Sequence, residues 1–234
     1  MPKYNNFLQF FILLIFLFAV SSCNKIEVLD EIVFDYDQLP KIVFSAEQKK
    51  VKETYETKFS DPFIDYSLPK PPKEHLKSWI ESNFAIIGTE NKLIINIIDS
   101  SLTKSEVANA NAKKYEEKTI YLFEINYLAE YILYDDSNAI LSSTTVETKR
   151  SITSGKFISL MELDRIIESL ILDALIDFAK KTEELIKIHM SGYILWIYFF
   201  QKPTDNNTKK VNSSNLPTSI VNDSIHFAPS GNKL

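Results

Sequence analysis

One thiol, three imidazoles and a pair of acids four residues apart are the groups in this 234-residue chain whose types and spacing best suit chemistry. The thiol is Cys23, the sole cysteine, so the chain forms neither an internal disulfide nor a cysteine-based metal site. The histidines are His75, His189 and His226, none with a second ligand at metal spacing. His75 follows Glu74 near a helix start and reads as half of an exposed helical pair. His189 falls in the last turn of a long helix, where a cation complements the dipole. His226 lies in a polar C-terminal stretch. Asp173 and Asp177, at i and i+4, read as a solvated stripe opposite the core rather than as a catalytic pair. No Gly-x-Ser-x-Gly elbow, phosphate loop or His-Glu-x-x-His helix is present. The expectation is a non-enzymatic protein with no cofactor and no metal.

Around Cys23 the sequence says more. Lys3 supplies a positive n-region, and Phe7 to Val20 form an apolar run of 14 residues broken only by Gln9. As a helix that run spans about 21 Å, short of a hydrocarbon core of ~30 Å, which suits a signal-peptide h-region. Val20-Ser21-Ser22-Cys23 resembles the lipobox of bacterial lipoproteins. There an aliphatic residue precedes two small ones, and the cysteine thiol takes diacylglycerol. The resemblance implies cleavage before Cys23, two acyl chains on the glycerol and a third, commonly palmitate, on the new amino terminus. One chain holds a protein to a bilayer only marginally, and two hold it stably. Asn24, in place of Asp, implies the outer membrane, with the inner membrane as the alternative.

The elements behind these residues follow from periodicity. Asn24 to Pro40 reads as a solvated tether; its acids Asp30, Glu31, Asp35 and Asp37 could suggest calcium, but Phe34 and Tyr36 interleave and no glycine turn follows. Lys41 to Tyr55 reads as one edge strand. Pro62, Pro69, Pro71 and Pro72 keep the next stretch extended. Leu76, Trp79, Ile80 and Phe84 give a helix over Lys73–Phe84, whose exit Gly88 can close. Leu93 to Ile98 mark a buried strand. Ala108 to Lys118 is a loop. Tyr121, Phe123, Ile125, Tyr127, Ala129, Tyr131 and Leu133 share one face of a strand over Thr119–Tyr134, and Ala139–Ile152 pairs back as a hairpin. Those tyrosines could line a lipid-binding cleft, but a sheet beneath helices needs the same side chains. Ser159 and Glu162 form a capping-box pattern at the head of a helix reaching Met190, with Gly192 where a C-terminal cap belongs. Tyr193 to Phe200 extends that helix, adds a strand or touches lipid; periodicity leaves the three open.

Tyr55, Pro62, Pro69-Lys70-Pro71, Trp79, Gly88, Asp99 and the long final helix resemble an uncharacterised lipoprotein family of alpha-proteobacteria. That family has no assigned activity and ends near Leu195. In architecture alone, a lipidated cysteine followed by βαβββα is similar to the lipopolysaccharide-assembly lipoprotein that plugs an outer-membrane barrel, and to auxiliary lipoproteins of lipid-transport ABC systems.

The expected organisation is a signal peptide over residues 1–22, a lipidated tether over 23–40, an α+β periplasmic domain over 41–200 and a disordered tail over 201–234. The domain is a four-stranded, mainly antiparallel sheet with two helices on one face (βαβββα). A formal net charge of −5 offers no basic patch, so nucleic acid is not an expected partner. The expected partners are the membrane, through lipid at Cys23, and an envelope protein in assembly or transport. The alternative is a carrier of lipid or another apolar small molecule.

Overall fold

A computed structural model describes residues 32–110 and 112–198. The leader, Cys23, the first part of the tether, His226 and the expected tail lie outside the described residues. Among the described residues the chain builds two α-helices and seven strands, an α+β fold. In order they are β1 (Lys41–Phe44), β2 (Gln48–Glu53), α1 (Pro72–Asn83), β3 (Phe84–Ile86), β4 (Lys92–Ala108), β5 (Thr119–Tyr134), β6 (Ile140–Ser154), α2 (Leu160–His189) and β7 (Ile194–Tyr198).

The main sheet has the order β2-β4-β5-β6. β2 runs parallel to β4, and β4, β5 and β6 are successively antiparallel. Alternation along β5 buries Phe123, Ile125, Tyr127, Ala129, Tyr131 and Leu133, the face expected from the sequence. Both helices cover that face. The Trp79 ring of α1 meets Phe178 of α2 edge-on at 6.1 Å, and Phe178 lies 5.6 Å from Tyr127 of the sheet. The Tyr127 hydroxyl points to the carbonyl of Pro72 at the head of α1, and that of Tyr131 to Thr182 of α2. Burial pushes both phenols upward, so they remain neutral hydrogen-bonding groups. The tyrosines are core, and the space that a lipid would need beneath the helices holds Trp79, Phe84, Tyr127, Tyr131 and Phe178.

Lys41–Tyr55 is not one strand. Ser45 to Glu47 break it, and β1 belongs to a second sheet of order β3-β1-β7. β1 pairs parallel with β3 and antiparallel with β7, so Tyr193–Phe200 supplies a strand over its described part. This sheet closes one end of the core, with Phe84 stacked between Phe44 at 6.1 Å and Tyr131 at 5.5 Å.

The helix ends also differ from expectation. α1 starts at Pro72, which needs no amide donor there. It ends at Asn83, where Lys49 of β2 donates to the carbonyls of Glu81 (3.2 Å) and Phe84 (2.5 Å), a cation on orphan acceptors at the negative end of the dipole. Gly88 does not cap α1. It lies beyond β3, where a Cβ would stand 2.9 Å from the amide nitrogen of Ala46, so the close approach itself demands glycine. The capping serine is as expected, Ser159 accepting from the Glu162 amide at 3.2 Å. Gly192 is not a left-handed cap, since no glycine among the described residues has positive φ; α2 passes through Met190 into a tight turn over Ser191–Tyr193.

Candidate functional site

One surface able to meet a partner is the face of the main sheet turned away from the helices. Register places Ile94 beside Ile132, Asn96 beside Glu130, Asp99 beside Leu128, Ser101 beside Asn126 and Thr103 beside Glu124. Across the next strand pair Ile132 faces Ser143, Glu130 faces Thr145, Leu128 faces Glu147 and Asn126 faces Lys149. The result is a two-sided sheet with a mixed outer surface: aliphatic groups along β4 and β5, and serine, threonine and single charges on β6. Its centre is fixed by hydrogen bonds rather than left free. Asp99 accepts from Asn126 Nδ2 at 2.8 Å and from the Ser101 amide at 2.9 Å, and Thr54 donates to Asn96 Oδ1 at 2.5 Å. The rim on the β2 side carries Lys50 and Lys52 in register with Ile94 and Asn96, which protects that short edge from a foreign strand. β6, the other edge, offers fifteen residues without proline or glycine.

The groups singled out for chemistry fall elsewhere. His75 is not exposed. It is 6% exposed on α1, with Phe34 against its ring at 3.8 Å between centroids and the Tyr36 hydroxyl 2.9 Å from Nδ1. Lys70 in turn donates to that hydroxyl at 3.1 Å. Burial, then the Lys70 charge, push the imidazole down to about 4, so it is neutral at pH 7. The described end of the tether is accordingly not a solvated spacer: Phe34 and Tyr36 pack on α1, and Asn83 Nδ2 donates to the carbonyls of Tyr36 (2.7 Å) and Leu39 (3.0 Å). Helical spacing held the signal, because His75, Trp79 and Asn83 stand at i, i+4 and i+8 on one buried face.

Asp173 and Asp177 stay half-exposed, as expected of a solvated pair, but they are not unpaired. They close on Arg150 of β6 from consecutive turns of α2, at 3.1 and 2.5 Å, and tie the helix to the edge strand. His189 is exposed in the last turn of α2, the structural position expected of it.

A buried acid escaped the sequence reading. Asp65 is 1% exposed, accepts from the Tyr55 hydroxyl at 2.9 Å, and its other oxygen has no hydrogen-bond partner among the described residues. Burial raises its carboxyl, and the pair holds the proline-rich segment against β4, where Ile64 N–H bonds the Leu102 carbonyl. Tyr55 was legible as a conspicuous residue, but nothing local marks Asp65 as its mate. Among the described residues no three His, Cys, Asp or Glu side chains group closely enough to hold a metal ion, and no helix is long and apolar enough to cross a membrane.

No family model matches the chain, and no curated protein matches it in sequence. Among solved structures it is similar to a minor lipoprotein from Acinetobacter baumannii, at 10% identity and TM-score 0.34 over 63% of this chain and 95% of that one. It is also similar to the rare lipoprotein B from Shewanella oneidensis, at 10% identity and TM-score 0.33 over 59% of this chain and 95% of that one. Likeness this distant assigns neither family nor activity.

Proposed function

We propose that this chain is a bacterial lipoprotein, anchored through Cys23 to the periplasmic face of the outer membrane, whose domain binds a protein partner in envelope assembly or transport without enzymatic activity. The observation that carries the reading is the coincidence of the only cysteine with the lipobox position, directly after an apolar run too short to span a bilayer. The domain's geometry supports a binding role. One sheet face is sealed by two helices over a filled core, and the other presents a fixed, ordered surface of β4, β5 and β6. The filled core favours a partner over the ligand-carrier alternative, which needs a cavity where the aromatic side chains now sit.

The test is photo-crosslinking in cells from Thr145 and Lys149 on the open face, with Glu168 on the exposed side of α2 as control. The reading expects one discrete envelope adduct from the face and none from the control. Equal, diffuse adducts from all three positions would refute it.

A further inference from the structure

The end of the main sheet opposite β1, β3 and β7 carries apolar groups that no core requires. Two loops meet there: the β4–β5 connection after Ala108, and the segment from Gly155 into the first turn of α2. Tyr115 is 92% exposed, Phe157 88%, Leu160 79% and Met161 62%. The loops are pinned to each other, since Glu117 accepts from the Lys156 amide at 2.9 Å and the Lys156 ammonium pairs with Glu106 at 2.6 Å. Exposed lysines Lys113, Lys114 and Lys118 stand on the same connection as Tyr115. Four large apolar groups this exposed, on two segments cross-linked to each other, are unlike the singly scattered surface residues of an ordinary domain.

We infer that this tip enters the interfacial layer of a lipid bilayer. Tyrosine and phenylalanine favour that depth, aliphatic side chains penetrate just below it, and lysines flanking them reach back to the headgroups. Side chains this exposed, with lysines beside them, suit a deformable lipid surface, whereas protein partners usually take such groups into a matching pocket. Chain length permits the same bilayer to hold lipid and tip. Val33 lines one cleft with Leu172 and Ile176 of α2. From Leu172 the helix runs back to Leu160 over about 18 Å, and the ten residues from Cys23 to Val33 reach up to ~33 Å. The inference rests on the anchored reading for its choice of a lipid surface.

The experiment uses the full lipidated protein in phosphatidylethanolamine–phosphatidylglycerol nanodiscs, with an environment-sensitive fluorophore on Lys114→Cys or, as control, on Thr145→Cys. Thioether formation leaves Cys23 unreactive, so each variant takes one label. The expected result is a blue-shifted emission at position 114, quenched by spin-labelled lipid, with position 145 water-like. Phe157→Asp with Met161→Asp in the Lys114→Cys background should abolish the quenching while the protein stays on the discs. A water-like signal at 114 in protein retained by the discs overturns the tip and leaves the anchor standing. Protein that does not stay with the discs overturns both.

Discussion

Replacing His75 by Gln should flatten the acid limb of the domain's stability curve, because this buried imidazole must gain a proton as the chain unfolds. In the folded domain its value is about 4, against about 6.5 for an unfolded histidine. A depressed histidine leaves the unfolded state with more bound protons between those values, so stability is complete above the unfolded value and declines as pH falls toward the folded one. Relative to neutral pH, the linkage amounts to about 1 kcal/mol at pH 5.5 and roughly 2–3 kcal/mol near pH 4.5. The geometry explains the direction. Burial disfavours the charged ring, and the Lys70 ammonium, on the same Tyr36 hydroxyl that lies 2.9 Å from Nδ1, would stand beside the second cation. Urea unfolding of wild type and His75→Gln across this range isolates the effect, since other acids titrate alike in both. Parallel curves would refute the reasoning, as would a His75 imidazole resonance in the folded protein titrating between pH 6 and 7.

Three other perturbations follow from the packing. Arg150→Ala should cost about 1 kcal/mol by leaving two like charges one turn apart, and the loss should shrink in Asp173→Asn/Asp177→Asn protein and in high salt, measured by a denaturant double-mutant cycle. Tyr55→Phe should cost about 1–3 kcal/mol, since it strips the buried Asp65 carboxyl of its side-chain donor, and Asp65→Asn should be milder because an amide oxygen still accepts. Gly88→Ala should destabilise by about 1–3 kcal/mol through collision with the Ala46 backbone, whereas Gly192→Ala, whose Cβ meets nothing within 4 Å among the described residues, should be neutral or slightly stabilising by thermal denaturation.

Long elements were legible because they repeat a period many times. β5 alternates for sixteen residues, and α2 keeps its apolar stripe for thirty. The short strands were not. β1 and β2 follow each other with three residues between, yet the chain changes sheets in that gap, and two buried or alternating runs look like one. β3 is three residues paired in parallel with a strand 42 residues upstream, and no local pattern announces such a pairing. Tyr193–Phe200 stayed undecided for a related reason: a short apolar run fits a strand, a helix end or lipid until its neighbour is known. The sites failed where contacts were distant. His75 looked exposed because Phe34 and Tyr36 come from 39 to 41 residues away, and Asp173 and Asp177, which do stay half-exposed, looked unpaired because Arg150 approaches from another element. Periodicity reports which face is buried; it does not report which charge meets which.

Peptide mass spectrometry of the mature amino terminus, from membranes of cells making the full chain, shows whether Cys23 is the lipid anchor. The expected first residue is Cys23, carrying diacylglycerol on sulfur and an acyl group on nitrogen. A terminal peptide that still holds Val20-Ser21-Ser22 ahead of an unmodified Cys23 would contradict it.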